Sequence, residues 1–236
     1  MTDKPTALIT GATEGIGRAT AFALGRAGFR VGVCARTAAK VDALLEALGA
    51  AGIEAAGRPG DVGSEADASA IVMEVEQRLG PVNVLVNNAG VLVAKRIEDV
   101  SLAEWDSTMA TNVRALFLFS RLVLPGMRQR RSGTIVNVAS LAGKNAFVGG
   151  TAYAASKHAV LGFSRSLMLE VRRDRVRVVA ICPGSVATGM LQDQPLLAAD
   201  PQKILMPEDV AATIVHAVTL PSRALVSELD IRPTDP

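Results

Sequence analysis

The feature that most restricts the fold is an alternation. Short apolar, β-rich runs take turns with segments of helical periodicity along almost the whole chain. Residues 6–10, 30–35, 53–58, 82–87, 134–138, 176–181 and 224–231 read as strands. Residues 15–28, 37–51, 64–79, a long stretch from Ser101 toward Met127, 152–172 and 207–218 read as helices. Ser64 and Ser101 each have an acid three positions on, Asp67 and Glu104, which marks a helix start, and Pro207 suits a first helical position. Strands separated by helices of this length run parallel, through right-handed crossovers. Strands apolar almost throughout need cover on both faces. The expected fold is α/β: one doubly wound, Rossmann-type domain over 1–236, its mostly or wholly parallel sheet of about seven strands flanked by helices. Ligands of such a sheet bind beyond the carboxyl ends of its strands.

Bulk composition narrows the function. Of 236 residues 49% are apolar and 20% charged, enough for a sizeable core and against disorder. A net charge of +2 gives no argument for nucleic acid or a membrane surface as partner. The clusters Arg128, Arg130, Arg131 and Arg172, Arg173, Arg175, Arg177 read as solvated helix ends and loops. No apolar stretch reaches the length of about 20 residues that spans a bilayer. The run Ala7 to Ile9 is too short for a signal peptide. Cys34 and Cys182 fall inside strands, without a cysteine or histidine at ligand spacing. They read as buried thiols, with no metal site and a reducing cytoplasm as the compartment. His158 and His216 lie on helices and read as structural or solvated.

The chemistry gathers at strand ends. Thr10-Gly11-Ala12-Thr13-Glu14-Gly15-Ile16-Gly17 directly follows the first strand and opens a helix. Glycines there let backbone amides approach a pyrophosphate, and a helix N-terminus favours negative charge. A tight structural turn is the competing reading. The second strand ends at Ala35, which cannot accept from a ribose 2′-hydroxyl, while Arg36 can pair with a 2′-phosphate. That favours NADP(H) over NAD(H), with Glu14 arguing the other way. Tyr153 is the only tyrosine, and Lys157 follows at i+4 on the same helix face. An ammonium there would lower the phenol pKa toward a range useful for proton exchange.

These motifs, with Asn87-Asn88-Ala89-Gly90, Asn112, Ser140 and Pro183-Gly184-Ser185-Val186-Ala187-Thr188 in order, resemble those of the short-chain dehydrogenase/reductase family from about Lys4 to Ile231. The resemblance implies an oxidoreductase in which a nicotinamide cofactor supplies hydride to a carbonyl. Tyr153 would exchange the proton, and Ser140 would hydrogen-bond the substrate oxygen. Lys157 would lower the Tyr153 pKa and bind the nicotinamide ribose, and Asn112 would hold a water linking Lys157 to solvent. Gly11, Thr13, Glu14, Gly15, Ile16 and Gly17 would form the cofactor loop. Asp61 and Val62 would touch the adenine, and Asn88, Ala89 and Gly90 would flank the cofactor. Pro183, Gly184 and Val186 would wall the nicotinamide, and Thr188 would reach its carboxamide.

The expected activity is interconversion of a small alcohol and its ketone or aldehyde. A 3-ketoacyl thioester reductase is the alternative, and a non-catalytic nucleotide-binding sensor is the reading of another class. The substrate pocket should draw on 141–147, on 91–94 and on a short lid around 188–206 that contains Met190, Leu191, Leu196 and Leu197. The stripe Trp105, Met109, Val113, Leu116, Leu124 has a second apolar face in Phe117, Leu118 and Phe119, and Val160, Phe163, Leu167 and Val171 behave alike. More apolar faces than one core needs imply a homodimer or homotetramer, as the resemblance also does.

Overall fold

A computed structural model describes residues 4–192 and 203–234. Seven strands form one parallel sheet: β1 (Thr6–Thr10), β2 (Arg30–Ala35), β3 (Ala55–Pro59), β4 (Val82–Asn87), β5 (Gly133–Val138), β6 (Val176–Pro183) and β7 (Glu228–Ile231). Their order is β3-β2-β1-β4-β5-β6-β7. The chain therefore moves outward from β1 in one direction, returns, and moves outward from β4 in the other. The crevice this reversal leaves between the ends of β1 and β4 is where such sheets bind ligands.

Helices cover both faces. α1 (Gly15–Arg26), α2 (Ala38–Ala50) and α8 (Pro207–Thr219) pack Leu24, Val41, Leu48 and Ile214 onto Ile9, Val33 and Ile181. α3 (Glu65–Leu79), α5 (Ala115–Arg130) and α6 (Thr151–Val171) pack Ile71, Val75, Phe119 and Leu167 onto Leu8, Leu85 and Ile135. α4 (Leu102–Met109) precedes α5, and α7 (Gly189–Gln192) is a single short turn. Burial pushes the Cys34 thiol up to about 12 and the Cys182 thiol up to about 11, so both stay protonated and unreactive.

Several elements differ from the sequence expectation. The third strand starts at Ala55 rather than Ile53, because Gly52 turns with φ 74 and the Ile53 amide bonds back to the Leu48 carbonyl. Ile53 thereby finishes a helix end. The long helix from Ser101 forms as expected but carries a π-helical turn, Ala110–Arg114, between α4 and α5, and it runs past Pro125 to Arg130. The last strand is only Glu228–Ile231, since the Arg177 guanidinium holds the Leu220 and Ala224 carbonyls in a turn before it. Arg177 also donates to Thr134 and to the Val218 carbonyl, so it is a half-buried cap for the end of α8 and not a solvated charge. Leu118 and Phe119 belong to the core, and of that second face only Phe117 stays exposed. No helix among the described residues is long and apolar enough to cross a membrane. Leu196, Leu197 and most of the expected lid lie outside the described residues.

Candidate active site

The glycine turn is built by two hydrogen-bonded clasps. Its glycines at 11 and 15 take φ of 63° and 51°, the left-handed region that other residues resist. The Thr10 hydroxyl oxygen accepts from the backbone amides of Asn88 and Ala89, each at 3.0 Å. The Asn88 side-chain amide donates in return to the carbonyls of Thr10 at 2.9 Å and Gly11 at 3.1 Å. Strand ends β1 and β4 are thus locked together where the sheet order reverses. Gly17 lies beneath the turn, where a Cβ would sit 2.2 Å from the Gly11 carbonyl oxygen. Of the expected cofactor residues it alone is not on the cavity wall; its work is to let α1 approach the turn.

The turn opens on a cavity of about 1070 Å³ that runs over the carboxyl ends of the strands. Glu14 precedes α1 and Thr37 precedes α2 as N-cap residues, and neither caps its helix with its side chain. Two helix N-termini with no side-chain cap therefore border one cavity, an arrangement that suits an anionic ligand with two phosphate groups apart from one another. Arg36 is exposed on the wall there and makes no ion pair among the described residues. Glu14, which argued against a phosphate, pairs with Lys40 at 3.1 Å. Its charge is thereby offset by Lys40, on the first turn of α2, and Arg36 leaves these three side chains net positive at this end of the cavity. Sequence reasoning missed Lys40, although its place one turn after Arg36 was a usable signal. Asp61 and Val62 also line this end. An Asp61 carboxylate oxygen is engaged by the Gly63 amide, and Val62 is buried.

At the other end, β5 delivers Ser140 and α6 presents Tyr153 and Lys157. The Lys157 ammonium is buried, donates to the Val138 carbonyl at 2.8 Å and lies 5.6 Å from the centre of the Tyr153 ring. Burial holds Lys157 down to about 8. Burial raises the Tyr153 phenol above its ordinary value, against a smaller opposite pull from the Ser140 hydroxyl. Desolvation thus opposes the lowering that the sequence assigns to Lys157. Ser140 accepts from the Ala142 amide at 3.1 Å, so its oxygen is fixed at the cavity wall. Pro183, Gly184, Val186 and Thr188 line the cavity between the two ends. Thr188 packs so closely on Gly15 that a Cβ there would meet its Cγ2 at 2.9 Å.

Asn112 is not on the cavity wall. It sits buried in the π-helical turn. Its Oδ1 accepts from the Val91 amide at 2.8 Å, and its Nδ2 donates to the Val91 carbonyl and to the Ser156 hydroxyl, both at 2.9 Å. The side chain is spent on holding the segment after β4. Thr10, Lys40 and Ser156 are the contributors that motif reading did not single out as site residues. Thr10→Val keeps the shape of Thr10 and leaves the amides of Asn88 and Ala89 without their acceptor. The expected loss is about 1–3 kcal/mol of unfolding free energy, measured by denaturant titration.

The sequence model of the family described as short chain dehydrogenase matches residues 5–196. The chain is 38% identical, over 80% of its length and 76% of the relative's, to the 3-oxoacyl-acyl-carrier-protein reductase of Pseudomonas aeruginosa. Among solved structures, a variant of the actinorhodin polyketide ketoreductase with NADPH superposes with a TM-score of 0.91 at 35% identity, covering 99% of this chain and 97% of that one. A metagenomic short-chain oxidoreductase in complex with NADP superposes with a TM-score of 0.85, also at 35% identity, covering 98% and 97%. By fold, motif order and site geometry alike, the chain belongs to the short-chain dehydrogenase family.

Proposed function

We propose that this protein is an NADP(H)-dependent oxidoreductase that reduces a small ketone or aldehyde to its alcohol and runs the reverse reaction, with cofactor binding and catalysis in one domain. One observation carries the reading: a Ser140, Tyr153, Lys157 cluster and a basic Arg36, Lys40 end share the cavity that the glycine turn opens. NADPH, when bound, supplies the hydride. The chain's residues supply the rest. Uncapped amides of the glycine turn and α1 bind the pyrophosphate, and Arg36 and Lys40 bind the 2′-phosphate. Asp61 and Val62 border the adenine, with Asn88, Ala89 and Gly90 alongside. Ser140 donates to the carbonyl oxygen and stabilises the charge that develops there. Tyr153, kept protonated through neutral pH by its burial, gives its proton to that oxygen. Lys157, buried beside it, holds a positive charge below about pH 8 and orients the ribose.

Leu92, Leu141, Phe147, Met190 and Ile204 give the substrate end an apolar wall, which fits a small, largely apolar carbonyl compound. A 3-ketoacyl thioester is the second reading, supported by the relatives named as ketoacyl reductases. Comparing acetoacetyl-N-acetylcysteamine with ethyl acetoacetate as substrates separates the two. A reducing cytoplasm fits the two buried free thiols. Phe117 on α5 and Leu169 on α6, 46% and 58% exposed, support a homo-oligomer built on these helices.

Four measurements test the reading. NADPH should bind more tightly than NADH in paired fluorescence titrations, and Arg36→Gln and Lys40→Gln should each weaken NADPH about tenfold while leaving NADH unchanged. Equal affinities in the unaltered protein would refute the 2′-phosphate assignment. Tyr153→Phe should bind NADPH normally and lose turnover by about 10²–10⁴-fold. In the unaltered enzyme, kcat/KM for reduction should be level at neutral pH and fall as pH rises through about 8, where Lys157 of the free protein loses its charge. Light scattering should give a dimer or tetramer mass, and a monomer at micromolar concentration would remove the oligomer from the proposal.

A further inference from the structure

Ser156 precedes Lys157 on α6, yet it faces away from the cavity and is fully buried. Its hydroxyl is used in both directions. It accepts from the Asn112 side-chain amide at 2.9 Å and donates to the main-chain carbonyl of Tyr153 at 2.7 Å. The result is a directed chain from Asn112 through Ser156 to Tyr153. Asn112 is at the same time clamped to both backbone groups of Val91. Ser156 therefore joins three pieces that local structure leaves independent: the segment after β4, the π-helical turn and the first turn of α6. Each borders the substrate end of the cavity, through Val91, Thr111 and Tyr153 respectively.

A bond to a helix carbonyl already used in the helical ladder adds little to helix stability. A hydroxyl that merely satisfied itself on its own helix would bond to the carbonyl and stop there. Here the same oxygen also receives an amide from another element, buried in both residues. Buried polar links that are satisfied at every member fix geometry more than they add stability.

We propose that Ser156 is a positioning residue of the reduction: it couples Asn112 to the start of α6 and sets where the Tyr153 phenol stands relative to Ser140. The proposal rests on the oxidoreductase reading for its kinetic consequence but not for its structural one. Asn112 acts on the proton donor through Ser156, with its side chain serving as the anchor of a bracket. Without the hydroxyl, one Asn112 N–H loses its acceptor, and the first turn of α6 is free to shift by a fraction of an ångström. Proton transfer is sensitive to a displacement of that size, whereas cofactor binding, which draws on many contacts, is not.

The test exploits the single tyrosine of the chain. Ser156→Ala removes one oxygen from a buried site and leaves the packing intact. Ultraviolet difference titration at the phenolate band then reports Tyr153 alone, with circular dichroism checking that the fold persists over the pH range. The expected result is that Tyr153 titrates above the ordinary value of about 10 in the parent and at least about half a pH unit closer to it in the variant. With ethyl acetoacetate as the probe, kcat should fall about tenfold, while the NADPH dissociation constant stays within about twofold. Ser156→Thr, which keeps the hydroxyl, should recover most of the turnover. An unchanged Tyr153 titration in Ser156→Ala overturns the proposal, as does a kcat within about twofold of the parent. If the parent itself fails to turn over any carbonyl, the oxidoreductase reading fails, and the titration still decides whether the bracket positions Tyr153.

Discussion

The clasp between Thr10 and Asn88 is the interaction on which the site depends. A parallel sheet whose order reverses has two strand ends, here β1 and β4, that diverge into a crevice. Beyond those ends the backbone gives β1 one more bond, from the Ala12 amide to the Cys34 carbonyl, and, among the described residues, nothing that ties β1 to β4. The Thr10 hydroxyl and the Asn88 amide do so, each serving the other strand's backbone. Only then can Gly11 and Gly15 hold left-handed conformations together, with the start of α1 aimed into the cavity. The same clasp fixes the direction in which the chain leaves β4. That direction carries it to Val91, to its Asn112 clamp and so to the substrate end. The two ends of the cavity thus share one anchor.

The electrostatics of the two ends follow opposite rules. At the basic end the charges are exposed, as in the Glu14–Lys40 pair, whose side chains are 75% and 59% accessible. A pair so wet contributes little to stability, and its value lies in neutralising an acid where a phosphate would otherwise be repelled. At the catalytic end Lys157 is buried, while Ser140 and Tyr153 are half-buried on the cavity wall. Burial depresses Lys157 and raises Tyr153, so each is pushed toward its neutral form. A phenol that stays protonated is the form a proton donor requires.

The sheet was legible in the sequence because its signals are local. Val82–Asn87 and Val176 onward are apolar on both faces, and Ser64 and Ser101 form the helix starts that their spacing with Asp67 and Glu104 implies. The misses are tertiary. Ile53 looks like a strand residue and instead packs against Gly25 of α1, because Gly52 ends α2 first. Arg177 looks like one of a run of surface arginines, yet it closes a helix end 41 positions away at the Val218 carbonyl. The candidate site divides in the same way. Residues on the cavity wall follow a motif and could be picked out by number. Residues that hold those residues, such as Thr10 against Asn88 and Ser156 against Asn112, are paired across 78 and 44 positions, and no spacing rule reveals them.

The π-helical turn is where these threads meet. Asn112 is costly in an ordinary helix interior, and Ala110–Arg114 adds a residue to one turn, which interrupts the regular helical bonding around it. That distortion lets α4 and α5 keep separate tasks. α4 is started by the Ser101–Glu104 capping box, and Glu104 is also held by Lys95, from the segment after β4. α5 buries Phe119 and Met127 under the sheet. A continuous helix through both would turn residue 112 by roughly the 100° that one residue occupies. Its side chain would then leave Val91 and Ser156 together. The irregular turn is therefore the geometric condition for Asn112 to reach two other elements at once, which explains why a residue off the cavity wall stands in the same motif order as those on it.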